Sequence, residues 1–452
     1  MEKYLGNKRS LLDSIYSFIE LNTTNTSSII DIFAGTTNVG RYFKNKGYDV
    51  ASNDINRFSY ILGLSYLSLK SIPQFEKIQI PNDIKVDITY LEEHFLKQAK
   101  KDKEQLFSLN SVSMKEFLPI FKILNYLNNL DKYAPKNKFI IDYFTVDGKH
   151  SDYTSLRGTE LNRNYFSKDN AMKINNILEK IREWWQNNLL SKQEIAILLT
   201  AVIEEVVLVA NVAGTFHDFH RNKLWTNSLQ SFTIKVPLSI ISQTNSQIYC
   251  DDALKLVKTL PYHDILYIDP PYNFRQYTSY YHLLNFIAAY PFIDNLEDYM
   301  KDLSYVRGQN PEDEFKSAFC FKDQFVEALK YLIENVNCKY VVMSYYGGKN
   351  HWNHWSKNDE KNDIGFHKIN SLFQDKNIFK TSLAEQTFQY KQNFQSRAGE
   401  KKQYFDEYLF FGEKTSFNTS KKNFNDSNNI LAEHNKAFKL NFFDYYTNHK
   451  SK

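Results

Sequence analysis

Four consecutive residues, Asp269-Pro270-Pro271-Tyr272, directly follow the short apolar run ILYI at 265–268. A buried parallel strand ending there would place Asp269 at the carboxyl edge of a sheet, where open α/β folds bind ligands. The two prolines fix φ and remove two backbone donors, which leaves the carbonyl of Asp269 or Pro270 to accept from a ligand. Tyr272 adds an aromatic face. A carboxylate, a bare carbonyl and a ring together suit a planar amine, whose amino group donates twice while its ring stacks. The plainer reading is a rigid strand-to-loop corner with a core tyrosine.

A second candidate is the string DIFAGTTNVG at 31–40. It occupies a strand-to-helix turn, where Gly35 lets the backbone pass close to a ligand. It is not G-x-G-x-x-G, and no phosphate-binding G-x-x-x-x-G-K-[ST] occurs in the chain. Asp54 follows the next strand and is placed to accept from two ribose hydroxyls, or else is a solvated strand end. In Cys250-Asp251-Asp252-Ala253 either aspartate could cap a helix over 253–259. Two His-x-x-His spacings, at 217–220 and 351–354, lack the further ligands of a zinc site, so no metal is expected. His282 could help shape the loop after the tyrosine.

These residues need elements to hold them. Apolar spacing predicts a helix over 11–21, a buried strand over 27–33, a short helix over 39–46 and a strand over 48–53. Strand, glycine-bearing turn, helix, strand and acidic residue is the Rossmann order. From about 75 to 235 helical spacing dominates, with long helices over 171–187 and 191–211, which reads as an inserted domain. Strands resume at 265–268, 339–344 and 408–411, and 413–452 reads as a polar Lys- and Asn-rich tail with one weak helix near 430–438. The expected organisation is therefore a core over 1–74 and 236–412, an insert over 75–235, and the tail.

With 452 residues, 42% of them hydrophobic and 24% charged, the composition is that of a globular chain. No run of 18 apolar residues occurs, so no membrane-crossing helix is expected. The first residues lack the apolar centre of a secretory signal, and three widely spaced cysteines give no disulfide framework, which together point to the cytoplasm. The net charge of +4 permits nucleic-acid binding only through local clusters. The 31 Tyr and 35 Phe are a rich store of stacking rings, although an AT-rich genome would also enrich such residues.

The motifs in this order resemble the S-adenosylmethionine-dependent DNA adenine methyltransferases of the D-P-P-Y type, alpha group. Tyr4-Leu5-Gly6-Asn7-Lys8 looks like their N-terminal cofactor motif, and 31–40 looks like their F-x-G-x-G motif, with Phe33 and Gly35 matched. Thr37 stands where a second glycine is common. The strings at 162–170, 211–215 and 269–285 are also similar to one branch, and the resemblance spans roughly 4–412. It implies a Rossmann-like class I methyltransferase core of α/β type with an inserted, mainly helical target recognition domain. It implies a catalytic role for Asp269, Pro270 and Tyr272. The implied cofactor residues are Tyr4, Asn7, Lys8, Asp31, Phe33, Gly35, Thr36, Thr37, Asn38, Asp54 and Asp252, the last meeting the cofactor's adenine amino group in preference to Asp251.

The implied reaction is methylation of the exocyclic amine of a flipped adenine in double-stranded DNA, in a restriction–modification system that could include a nuclease for the same site. Other readings are an amino-methyltransferase acting on cytosine or RNA, and a DNA-binding protein that kept only the fold. The local basic clusters nominate Arg163, Arg221, Lys223, Arg275 and Arg307 for DNA contact, with solvated surface charge as the plainer account.

Overall fold

The computed structural model describes residues 4–81, 88–102, 114–130, 133–155, 158–239, 241–301, 303, 305–348, 350–352, 364–392 and 403–416. The proposed tail helix lies outside them. The strands are β1 (Ser28–Asp31), β2 (Asp49–Asn53), β3 (Asp152–Thr154), β4 (Glu160–Asn162), β5 (Ser246–Tyr249), β6 (His263–Ile268), β7 (Cys338–Tyr346), β8 (Phe379–Gln392) and β9 (Gln403–Lys414). The helices are α1 (Leu12–Asn22), α2 (Asn38–Asn45), α3 (Arg57–Leu67), α4 (Thr89–Asp102), α5 (Leu118–Asn128), α6 (Phe139–Phe144), α7 (Lys168–Gln186), α8 (Lys192–Val209), α9 (Ala253–Leu256), α10 (Tyr277–Tyr280), α11 (His282–Ala289), α12 (Leu296–Lys301), α13 (Phe325–Asn335) and α14 (Ile364–Phe373).

Seven strands form one sheet in the order β5-β2-β1-β6-β7-β9-β8. The first five run parallel, and β9 and β8 are added antiparallel. The winding reverses between β1 and β6, and the crevice at the carboxyl ends of such neighbours is where this architecture binds ligands. Side chains alternate across the sheet. Ile29, Val50, Ile265, Tyr267, Val342 and Leu409 pack toward α1, α2, α3, α8 and α11. Ile30, Ala51, Leu266, Ile268, Val341, Met343 and Phe410 pack toward α9, α13 and α14. Both faces are covered, which is why these strands read as continuous apolar runs. Each fully buried Ile or Leu among them is worth about 1.5–3 kcal/mol relative to exposure.

The expected Rossmann order is present, with ends shifted by at most two residues. α8 starts after Ser191 because Ser191 and Glu194 form a reciprocal capping box. The segment 75–235 is mainly helical, and α7 and α8 belong to the apolar cluster that also takes in α3 and one sheet face. That segment also holds the antiparallel β3–β4 hairpin, whose three-residue strands are too short to leave a periodic signal. The helix expected over 253–259 is only the single turn α9. Among the described residues, no helix is long and apolar enough to cross a membrane.

Candidate functional site

The carboxyl ends of β1, β2 and β6 open into a cleft, the place where this architecture binds ligands. Its walls include Tyr4, Phe33, Asp54, Asp252, Asp269, Pro270, Tyr272 and Tyr277. A smaller recess beside it is lined by Asn7, Lys8, Asp31, Gly35, Thr36 and Asn38, and shares Tyr4, Phe33 and Asp269 with the cleft. The structure thus brings together every residue that the sequence nominated for catalysis or cofactor binding except Thr37, which lies behind the recess with no solvent exposure.

The first turn is set by Asp54. The Gly35 N–H donates to its Oδ2 at 2.8 Å, and Asn56 donates to its Oδ1 from both the backbone and the side-chain amide at 2.9 Å. Burial pushes the Asp54 carboxyl up, while the donors from Asn56 and Gly35 hold it down. The backbone N–H of Ile55 also faces this carboxyl, which lines the cleft with little exposure. Gly35 has φ +49°, and a Cβ there would lie 2.8 Å from the Tyr4 ring. Tyr4 is fixed in turn by stacking on Tyr281, with centroids 4.7 Å apart. Thr37 also has positive φ, +61°. That conformation explains why glycine suits the position; here the threonine hydroxyl donates to the Thr36 carbonyl at 2.7 Å. Asn38 donates to Asn7 Oδ1 at 2.7 Å, which ties the N-terminal segment to the start of α2.

Asn53 was not nominated from the sequence, yet it joins two walls. Its amide donates to the carbonyls of Ile32 and Asp251, and its Oδ1 accepts from the Asp251 N–H. Asp252 caps α9 by accepting from the Leu254 N–H at 3.2 Å. The capping reading is therefore correct for Asp252, and it leaves the carboxylate on the cleft wall.

Asp269 keeps 17% of its side chain exposed, toward the cleft. Burial pushes its carboxyl up to about 6, with Lys8 pulling down and Glu407 pushing up. Lys8 lies 2.9 Å from Asp269 Oδ1. Asp31 is held well above the usual carboxylate range by burial and by Asp269 and Asp54, and its Oδ1 has no hydrogen-bond partner among the described residues. Asp54, Asp269 and Asp31, the last with an orphaned oxygen, crowd the cleft and its adjoining recess and suit a ligand that carries positive charge and several donors. The Tyr272 ring leans on Tyr346 at 4.9 Å, and burial pushes its hydroxyl up to about 12, so it stays neutral. Phe33 meets Phe319 edge-on at 4.9 Å. Cys320, also missed in the sequence, lines the same cleft.

The nominated basic residues divide. Arg163 is buried and donates to the carbonyls of Val306, His150 and Tyr305, so its guanidinium is an internal tether and not a phosphate contact. Arg307 is 11% exposed and engaged with Gln309, Ser279 and Glu314. Arg275 is half-buried beside the Tyr280 ring at 5.5 Å. Arg221 and Lys223 are exposed, next to a His220–Trp225 stack with centroids 3.7 Å apart. His282 is buried against the Ser279 carbonyl and Tyr165, inside the helix pair that follows the Asp269 loop.

Residues 4–341 match the family described as D12 class N6 adenine-specific DNA methyltransferases. The chain is 32% identical over 346 residues to the type II methyltransferase M.FokI of Planomicrobium okeanokoites, covering 76% of this chain and 44% of that protein. It is 29% identical over 348 residues to the modification methylase LlaI of Lactococcus lactis subsp. lactis, covering 76% and 46%. It is 27% identical over 346 residues to the type II methyltransferase M.NlaIII of Neisseria lactamica, covering 76% and 82%. The matched part of the chain thus spans a little under half the length of the first two relatives.

Proposed function

The chain belongs to the D12 class of N6 adenine-specific DNA methyltransferases, and from that premise we propose that it methylates the 6-amino group of an adenine in double-stranded DNA. The observation that carries this reading is the Asp269 carboxylate beside Pro270 and Tyr272 in one cleft with Asp54 and Asp252. S-adenosylmethionine fits the donor set. Asp54 faces where ribose hydroxyls would lie, Asp252 where an adenine amine would lie, and the recess of Asp31, Gly35 and Asn38 suits a charged amino-acid end. When bound, the cofactor supplies an activated methyl group on a sulfonium.

The residues of the chain do the rest. An adenine amino group is a poor nucleophile because its lone pair is spread into the ring. Asp269 and the Pro270 carbonyl accept its two hydrogens, which favours a pyramidal nitrogen and restores the lone pair. Tyr272 stacks on the base and fixes the line of attack. The amine cannot reach Asp269 from inside a duplex, so the base is flipped out. The segment 75–235 serves as target recognition domain, with Arg221, Lys223 and Arg275 the proposed DNA contacts and Arg307 shaping the loop behind Arg275. A relatives' setting of type II modification methylases supports a role in restriction–modification, with a nuclease of the same site as partner and a cytoplasmic location beside the DNA. Incubation with labelled S-adenosylmethionine and duplex DNA, followed by nucleoside digestion, tests the reading: label in N6-methyladenine supports it, whereas label in cytosine, label only in RNA, or no label rejects it.

A further inference from the structure

Glu407 is remote from Lys8 and Asp269 in sequence and is delivered to Lys8 by strand pairing. It sits on β9 opposite Tyr346 of β7 and Phe388 of β8. It has no solvent exposure, and its Oε1 lies 2.8 Å from the Lys8 ammonium. The same ammonium lies 2.9 Å from Asp269 Oδ1, and Lys8 keeps only 5% exposure. One buried cation thus bridges two carboxylates, one of which faces the proposed target amine. A buried carboxylate is costly, and an apolar residue would serve a covered strand better. The arrangement makes sense through what Glu407 does to Lys8.

We propose that Glu407 is a positioning residue of the methyl-transfer site, holding the Lys8 ammonium from the side opposite Asp269 so that this charge orients the catalytic carboxylate without fully neutralising it. The inference rests on the reading of Asp269 as the amine acceptor. A carboxylate wholly paired with one ammonium is a weak acceptor for a neutral amine. A carboxylate left unpaired in a partly desolvated cleft picks up a proton instead. Sharing Lys8 keeps Asp269 between those limits. The groups that face Asp269 from the surrounding elements are Lys8, Glu407 on β9, Asp31 at the end of β1, Tyr267 on β6, Tyr4, Tyr272 and Tyr277. Of these, Lys8 and Glu407 act on the Asp269 carboxyl in opposite directions.

Opposite directions make the test. The rate kcat on duplex DNA is measured against pH for Glu407→Gln and Lys8→Met, with cofactor affinity by calorimetry and folding by circular dichroism. Glu407→Gln keeps the side-chain shape and removes the charge. Its acid limb should move to lower pH, by roughly half a unit to one unit, with KM for DNA little changed. Lys8→Met should move the limb upward and reduce kcat at neutral pH by roughly tenfold or more, recovering at higher pH. A purely structural Glu407 would lower the Tm and leave the limb where it is. Wild-type pH profiles in a folded Glu407→Gln overturn the proposal; should that variant not fold, an unmoved limb in Lys8→Met overturns it. Asp269→Ala separates the two layers. If it is inactive while the Glu407→Gln limb is unmoved, only the Glu407 inference fails. If it is active, the reading of Asp269 itself fails.

Discussion

The cleft wall and the basic rim are built by opposite rules. On the wall, Gly35 and Asn56 are buried and donate to the buried Asp54, and the buried Asn53 is bonded to the backbone of Ile32 and Asp251. On the rim, Arg221 shows 41% of its side chain and pairs with Asp218, itself 57% exposed. The difference follows from what each must do. Groups that align a methyl transfer have to be fixed before the substrate arrives, since misplacement costs rate directly. Groups that grip a phosphate backbone act as long exposed cations, and they are ordered on contact.

If the wall is preorganised, breaking it should cost most. Gly35→Ala forces a Cβ against the Tyr4 ring at a residue with positive φ. Left-handed strain and overpacking together amount to roughly 2–5 kcal/mol, so S-adenosylmethionine affinity measured by calorimetry should fall by well over tenfold. Asp54→Ala should weaken the same affinity by a smaller factor and with little effect on DNA binding. It removes the proposed ribose acceptor and leaves the Gly35 N–H unsatisfied, a loss of about 1–3 kcal/mol. Unchanged affinity in either variant contradicts a preorganised wall.

At the junction of wall and rim, Tyr272→Ala should lose most activity and Tyr272→Phe should keep it, because stacking is worth about 1–3 kcal/mol and needs only the ring. Equal damage in both variants would assign a role to the hydroxyl. The wild-type rate should also fall as pH drops through about 6. Burial raises the Asp269 carboxyl to that range, and its protonated form no longer accepts from the amine. A rate that is flat from pH 5 to 8 contradicts this.

The rim should give the smallest effects. Arg221→Ala or Lys223→Ala should weaken DNA binding evenly across sequences and lower the salt slope by about one unit. If either variant instead relaxes preference at one base pair, the side chain reads a base edge.

How much of this was legible in the sequence follows the same division. The placement of Asp269-Pro270-Pro271-Tyr272, Gly35 and Asp54 around one cleft was legible because each follows a strand with an apolar signature, and the strand end fixes its place. The long helices α7 and α8 were legible from their spacing and, at Ser191, from the capping box. Asn53 and Asn56 were not, since an amide that bridges walls leaves no periodic mark. Glu407 was not, because only the pairing of β9 with β7 carries it to Lys8. β5, with its four residues, and β8, an edge strand of the antiparallel pair, lack the apolar continuity of the central strands. Arg163 misled for a related reason: charge in a sequence does not tell a phosphate contact from a tether to three carbonyls.

Asp269 is proposed to receive the target amine while other residues hold the cofactor. This assignment is tested most directly by measuring methyl transfer and S-adenosylmethionine affinity together in purified Asp269→Ala. Transfer should fall by a factor corresponding to about 3 kcal/mol or more, with cofactor affinity close to wild type. Substantial methylation by the variant, or loss of cofactor binding in step with loss of activity, would contradict it.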